Sequence, residues 1–403
     1  MNQPKMLQTR AGAYAPQAGG YSTFVPATLP PSPSIQWDDQ LRTLLSAADR
    51  ALGRLDGVAS TLPNPDFFVA MYVRHEAVLS SQIEGTQSTL EDVLAFESDG
   101  NRNNLPKDVT EVINYVAAMN HGLARLKDLP LCLRLLKEIH EKLLSDARGA
   151  ERNPGEFRKS QNWIGPQAST LSTATFVPPN PEDMQAALAN FEQYINVAEL
   201  PLLQCGIAHA QFETIHPFLD GNGRVGRLLI TLLLCEKGIL HRPLLYLSHY
   251  FKMHRAQYYD RLMAIRFDGD WEGWLKFFLR GVEEVSLAAT ETARKILTVR
   301  ESIRQQLHAV SGASSTMQRL LDYLFERPML TVRKAAEHLD CTFATAGSAI
   351  AQLEQMNVVE ELTGQQRNRM YRFKPYIDIF VQQTMSMPID DAEKPLQATR
   401  VPG

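Results

Sequence analysis

The stretch His216 to Arg227, read HPFLDGNGRVGR, places within twelve residues the groups that handle a polyphosphate. Gly221 and Gly223 let backbone N–H groups approach a phosphate closely, and a helix beginning near Arg224 would aim its positive end at the same place. Arg224 and Arg227 stand three residues apart, so both guanidinium groups project from one face of that helix's first turn. Asp220, just before the glycines, offers a hard carboxylate oxygen of the kind that holds Mg2+ while phosphates supply the other ligands. His216, four residues further back, brings an imidazole that can share the pocket and exchange a proton near neutral pH.

Taken singly these features are ordinary: a His beside Pro is usually structural, and an Arg at a helix start is usually solvated. Their coincidence points to chemistry. GNGRVG also fits the G-x-G-x-x-G turn of dinucleotide-binding folds, but that fingerprint needs a buried strand before it and an acidic residue about 20 positions beyond it. Here the preceding LLQCGIAHAQFETI has helical spacing, and the downstream RPLLYLSHYFK contains no carboxylate.

The rest of the chain must position this loop. With 403 residues, 44% of them hydrophobic, there is material for two or three cores. Lys and Arg number 41 against 45 Asp and Glu, a net charge of -4 with a pI near 6.2, which excludes a whole-surface binder of nucleic acid or anionic membranes. Cys132, Cys205, Cys235 and Cys341 lie far apart with no C-x-x-C pair, as reduced core thiols would. The apolar run Leu228 to Cys235 is too short to span a bilayer, and the first residues lack a basic-then-apolar signal, so a cytoplasmic location with no membrane partner is expected.

Residues 1–34, rich in Pro and small side chains, are expected to be a flexible lead-in. WDDQLRTLLSAADRALGRL has the three- and four-residue apolar steps of an amphipathic helix. NPDFFVAMYVRHEAVLSSQIEG follows, with Asn64 as cap, Pro65 in the first turn and Gly85 as the stop. Ser88 and Glu91 have the spacing of a capping box for the next helix. VTEVINYVAAMNHGLARL, LRLLKEIHEKLLSD and MQAALANFEQYIN continue the helical pattern, and between the last two GEFRKSQNWIGPQASTLSTATFVPP predicts a short hairpin or flap. The expected architecture is all-α, a helical core with a short β-hairpin flap.

The segment His216 to Arg227 resembles the signature of the Fic family, H-x-F-x-[DE]-G-N-G-R-x-x-R, at every specified position. The resemblance implies a Fic-type helical core, ATP with Mg2+ as cofactors, and transfer of AMP to a hydroxyl side chain of a protein partner. It implies His216 as the general base, Asp220 as the metal ligand, and Gly221, Asn222 and Gly223 around the α-phosphate. Arg224 and Arg227 would grip the outer phosphates, and Phe218 would anchor the loop. By a looser match, Asn162, Trp163, Ile164 and Gly165 of QNWIGP would form a flap that aligns the target segment by strand addition. Tyr258 and Tyr259 would lie on the adenosine side or pack in the core. The related Doc-type kinases depart at the second glycine of the nest, so Gly223 favours AMP transfer over phosphate transfer. The family's pairing habit implies a homodimer.

Upstream, SSQIEG puts Ser80 and Glu84 four residues apart before Gly85 and resembles the inhibitory motif [ST]-x-x-x-E-[GN] of Fic proteins. The resemblance implies that Glu84 pairs with Arg227, denying it to the γ-phosphate. At the other end, TMQRLLDYLFERP, TVRKAAEHLD and TFATAGSAIAQLEQMN read as three helices before two strands around Gly364, an order resembling a winged helix-turn-helix. DNA is not its favoured partner: residues 316–376 hold eight Lys/Arg against seven Asp/Glu, and the recognition helix Thr342 to Met356 has neither Lys nor Arg. Only Arg367, Arg369 and Arg372 of the wing offer phosphate contacts, which leaves protein docking or dimer support as the favoured role. The expected layout is 1–34 flexible, 35–105 N-terminal helical with the inhibitory helix, 106–290 catalytic core, 291–315 linker helix, 316–378 winged helix and 385–403 disordered. The alternative to an autoinhibited AMP transferase is a transcription regulator whose Fic-like part senses a nucleotide.

Overall fold

The computed structural model describes residues 8–60, 62, 65–99, 108–145, 151–166, 168–309 and 315–385. The expected cap Asn64 and the tail beyond 385 lie outside the described residues. The described residues are mostly helical with two small antiparallel sheets.

The first sheet joins β1 (Gln8–Thr9), β2 (Gly12–Pro16) and β3 (Ser22–Pro26) in that order. A flexible lead-in over 1–34 is therefore not what the described part shows. Phe24 of β3 is fully buried, its ring meets Phe176 at 6.0 Å and its N–H donates to Val177 O at 2.9 Å. Arg10 forms a bidentate pair with Glu272, both bonds 2.8 Å, and the Asn190 amide exchanges two hydrogen bonds with Leu29. One buried aromatic and a few anchors to distant helices outweigh a composition of small residues and Pro.

Next come α1 (Asp39–Ser60), α2 (Pro65–Ile83) and α3 (Leu90–Asp99). The apolar stripe of α1, with Leu41, Ala48, Leu52 and Leu55 buried, lies along the last core helix. Gly85, at φ +98, takes the left-handed turn that ends the α2 segment as expected. The capping box of α3 sits one residue later than its expected place: Thr89 Oγ1 accepts from Asp92 N and Asp92 Oδ2 accepts from Thr89 N. Ser88 instead donates to Asp108, and Glu91 pairs with Arg372.

The core runs through α4 (Val109–Arg125), α5 (Leu133–Leu143), α6 (Pro181–Ile195), α7 (Pro201–Ile215), α8 (Asn222–Glu236), the short α9 (Ser248–Met253), α10 (Arg255–Asp268) and α11 (Trp271–Ala309). Asn180 caps α6 by accepting from Glu182 N and Asp183 N, with Pro181 in the first turn. Every residue of α7 from Leu202 to Ile215 is buried, and α8 is buried from Val225 to Leu234. A helix covered on all sides belongs at the centre of its domain, so the α7–α8 pair is the axis and its connecting loop is held from every direction. The expected linker helix is no separate element, since α11 continues without a break to Ala309. Of the four cysteines only Cys205 is fully buried; the others are half-buried and all are unpaired.

The remaining elements are α12 (Ser315–Glu326), β4 (Met329–Thr331), α13 (Val332–Leu339), α14 (Phe343–Gln355), β5 (Val359–Glu361), β6 (Met370–Phe373) and α15 (Lys374–Met385), with sheet order β4-β6-β5. Thr331 and Thr342 cap α13 and α14. This unit is pinned to the N-terminal helices. Phe380 of α15 meets Tyr72 of α2 at 5.4 Å and His75 at 5.8 Å. Arg372, expected to face a phosphate, is spent on Glu91 of α3 and Glu360 of β5, so of the wing arginines only Arg367 and Arg369 are exposed.

Because Phe24 is fully enclosed, Phe24→Ala should lower the unfolding free energy by about 3 kcal/mol. Chemical denaturation checks this: a change under about 0.5 kcal/mol, the range of an ordinary surface substitution, would mean that the N-terminal sheet does not pack on the core in solution.

Candidate active site

The loop from His216 to Gly221 reverses the chain between α7 and α8. His216 terminates α7 with φ 49 and ψ 61, a left-handed conformation that costs a non-glycine residue roughly 1 kcal/mol. Its neighbours hold it there. Arg158, 2% exposed, donates from Nε to His216 O at 3.0 Å and from its terminal nitrogens to Ile215 O and Pro179 O, while its backbone N–H reaches Pro217 O. Arg266, also buried, donates to Glu213 O at 3.0 Å and Thr214 Oγ1 at 3.2 Å. Two guanidinium groups thus satisfy the last carbonyls of α7, where the helix dipole favours cations.

Below the loop, Phe218 is fully buried and stacks on the His140 ring with centroids 3.8 Å apart. The His140 imidazole accepts from Gly155 N at Nδ1 (2.9 Å), which leaves Nε2–H to donate to Asp220 O at 3.0 Å. Burial pushes this His down to about 4, so it stays neutral in that tautomer. Asn222 closes the loop on itself: its Oδ1 accepts from Phe218 N and its Nδ2 donates to Phe218 O, both at 2.8 Å. Its amide shapes the turn instead of facing the cavity.

The cradle itself starts at Gly221, whose φ of +76 leads into α8. Asp220 Oδ1 accepts from Gly221 N at 2.6 Å and lies 3.7 Å from Arg224. Arg224 is 1% exposed and donates to the buried Glu111 of α4 at 3.1 Å. Arg227 donates from Nε to Ser80 Oγ at 2.7 Å and from NH2 to Ser80 O at 3.0 Å and Glu84 Oε1 at 2.7 Å. Glu84 stands just past the end of α2, its carboxylate lying so close over Gly223 that a Cβ there would come within 2.3 Å of Oε1. Desolvation works against the Glu84 charge, but the Arg227 guanidinium outweighs it and holds the carboxyl below the usual carboxylate range.

His216 lies beside this anion. Burial, with Arg266 and Arg158 nearby, pushes its imidazole down to about 3, so a neutral ring with a lone pair faces the loop at physiological pH. In the expected flap the hairpin shrinks to one β-bridge, Ile164 with Phe176, joined by hydrogen bonds of 2.8 and 3.0 Å. Asn162 donates to His216 O and Phe218 O, tying flap to loop, and Trp163 is 43% exposed. Gly165 packs against Ser169, where a Cβ would lie 2.5 Å from Oγ. The two tyrosines part company. Tyr258 is a core residue, 1% exposed, its hydroxyl on His209 Nε2 at 2.9 Å and its ring on Phe251, which removes it from an adenosine pocket. Tyr259 is 37% exposed beside Arg255.

Among the described residues no group of three or more His, Cys, Asp or Glu could form an all-protein metal cage. Asp220 fits the other mode of Mg2+ binding. Its side chain is 38% exposed, with one oxygen taken by Gly221 N, which suits a cation that takes one carboxylate and completes its shell with phosphates and water. Glu111, His140, Arg158 and Glu213 were not singled out from the sequence, because no spacing rule links them to the loop they support.

Removing both Asn222 bonds should loosen the loop: Asn222→Ala should cost about 2 kcal/mol of stability. Thermal unfolding reads this, and a variant as stable as the parent would contradict the assigned role of Asn222.

The profile described as Fic/DOC family N-terminal matches residues 42–124, and that described as Fic/DOC family matches residues 130–234. The protein adenylyltransferase Fic of Aedes aegypti is 33% identical over 173 residues, 41% of this chain and 31% of that protein. The Culex quinquefasciatus protein of the same name is 32% identical over the same shares. The chain thus spans about a third of the length of the curated relatives it matches. A crystal structure of a Fic family protein from Desulfovibrio desulfuricans G20 superposes with a TM-score of 0.54 at 21% identity, covering 84% of this chain and 97% of that one, a likeness of fold. Residues 42–124 and 130–234 therefore match the two domains of the Fic/DOC family.

Proposed function

We propose that this chain transfers AMP from ATP to a hydroxyl side chain of a protein and that Glu84 holds the reaction in check. The observation that carries this reading is the place of Glu84: a carboxylate of the chain itself lies over Gly223 and is clamped by Arg227, where an anion meets the start of α8. The names of the mosquito relatives support the same reaction class.

In the proposed reaction the target hydroxyl oxygen bonds to the α-phosphorus as the bond to pyrophosphate breaks. Pyrophosphate leaves with the electron pair, and the hydroxyl proton passes to the neutral His216. Arg224 and Arg227 supply positive charge to the outer phosphates, and the Gly223 N–H at the start of α8 faces the transferring group, while that of Gly221 is held by Asp220. Mg2+ held at Asp220 would neutralise phosphate charge. Arg227 cannot do its part while its donors are committed to Ser80 and Glu84. The exposed Trp163 and the bridge at Ile164 support a flap that receives the target as an added strand. Tyr259 is the tyrosine left to border the adenosine.

For the C-terminal unit we infer a winged-helix module that serves protein docking or homodimer support. Saturation of Arg372 by carboxylates and the lack of Lys or Arg in α14 weigh against DNA. A supply of ATP and four unpaired cysteines fit the cytoplasm, and no helix among the described residues is long and apolar enough to cross a membrane.

Intact-mass measurement after incubation with ATP and Mg2+ tests the reaction: an AMP-sized gain on target or self supports it, whereas a phosphate-sized gain means a kinase. His216→Ala should lower labelling by about 100- to 10,000-fold with ATP binding largely kept. Glu84→Gly should raise labelling, including self-labelling; an unchanged rate removes Glu84 from control of the site.

A further inference from the structure

Behind the imidazole two buried polar atoms make no hydrogen bond: Nδ1 of His216 and Oε1 of Glu213. The other carboxylate oxygen, Glu213 Oε2, lies 4.0 Å from that same Nδ1. Glu213 sits on the last turn of α7, 6% exposed, with its carboxyl against Gly226, where a Cβ would come within 2.5 Å of Oε1. An unsatisfied carboxyl in such a place is costly, and a glycine on the facing helix makes room for it.

The charges around the pair leave it unclaimed. Arg266 of α10 uses its donors on Glu213 O, Thr214 and Met263 and stacks on Phe176, while Arg158 is committed to backbone carbonyls. Arg227 of α8 is bound to Ser80 and Glu84, and the Tyr258 hydroxyl pairs with His209. The Glu213 backbone carbonyl also faces the His216 ring and accepts from Arg266 at 3.0 Å, yet it makes no hydrogen bond with Nδ1.

We propose that Glu213 is a positioning residue for His216: its carboxylate receives the Nδ1–H and so turns the Nε2 lone pair toward the target hydroxyl. This rests on the AMP-transfer reading above. A neutral imidazole carries one N–H, so the acceptor on one nitrogen decides which nitrogen is the base. A closure of about 1 Å brings the pair to hydrogen-bond distance. When the hydroxyl proton reaches Nε2, Nδ1–H stays on the imidazole and the Glu213 charge offsets the imidazolium; no second proton moves. A protonated Glu213 does the reverse, donating its O–H to Nδ1 and leaving Nε2 as an N–H that cannot accept. Burial pushes the Glu213 carboxyl up to about 7, with the nearby Glu84 adding to the rise and Arg227 and Arg266 opposing it, whereas His216 lies at about 3. The acid limb of activity therefore belongs to the carboxyl, and activity is gained as pH rises through about 7.

The test uses the full chain carrying Glu84→Gly, which also removes one neighbouring negative charge. In that background Glu213→Gln should lower kcat about 10- to 100-fold, part of what a positioned base contributes, leave KM for ATP within about twofold and abolish the acid limb. A merely structural role would lower thermal stability and raise KM while keeping the limb. Nitrogen NMR of His216 in Glu84→Gly alone reads the tautomer without activity or a change at position 213: Nδ1–H above the limb and Nε2–H below it are expected. If Glu84→Gly does not label any protein, the AMP-transfer reading fails and the tautomer still decides the pairing. Labelling that survives Glu213→Gln with its rate and limb intact, or Nε2–H at every pH, overturns the proposal.

Discussion

A helix that begins inside a protein must find partners for its first N–H groups, and α8 begins there with two arginines in its first turns. Asn222, Arg224 and Arg227 are each 3% exposed or less, so the start of α8 concentrates positive charge where water cannot dissipate it. The protein answers with two carboxylates brought from far along the chain, Glu111 to Arg224 and Glu84 to Arg227, and with the local Asp220 beside the turn. Breaking one buried pair leaves a lone charge, a penalty of about 3 to 5 kcal/mol, which a polyphosphate arriving in place of Glu84 would relieve. In the proposed reaction, Glu84 and the incoming phosphate are thus alternative solutions to one electrostatic requirement.

The rigidity of the site follows from where its supports come from. α5 contributes His140 beneath Phe218, the segment after it contributes Arg158 at the His216 carbonyl, and α10 contributes Arg266 at the end of α7. The loop backbone is thereby tied to three separate parts of the core. These contacts act on main-chain carbonyls, which explains how a strained left-handed histidine persists in the middle of the domain.

The loop and its inhibitor were legible because each compresses its chemistry into a short run: GNGRVGR states its turn and its charges locally, and SSQIEG does so with Ser80 and Glu84. The supports were not legible. Glu111 and Arg224 lie 113 residues apart, and only folding brings them together. Tyr258 and Tyr259 are adjacent, yet successive helix positions differ by about 100°, so one faces the core and the other solvent. Choosing between them needs the phase of α10, which its weak amphipathic pattern does not give. The N-terminal strands were hidden by their small residues and Pro, since a single Phe24 does the burying. The capping box slipped by one position because Ser88 and Thr89 are both suitable caps and Asp108, distant in sequence, takes Ser88.

The edge-to-face packing of Phe380 on Tyr72 and His75 gives α2 two duties, since its C-terminal end carries Ser80 and leads to Glu84. Glu84 can leave Arg227 in two mechanically distinct ways. Rotation about the turn at Gly85, which meets no neighbouring atom within 4 Å of an added Cβ, costs the aromatic cluster nothing. A tilt or slide of the whole helix would shear the seam with α15, so in that mode whatever grips the C-terminal unit also sets how readily Glu84 parts from Arg227.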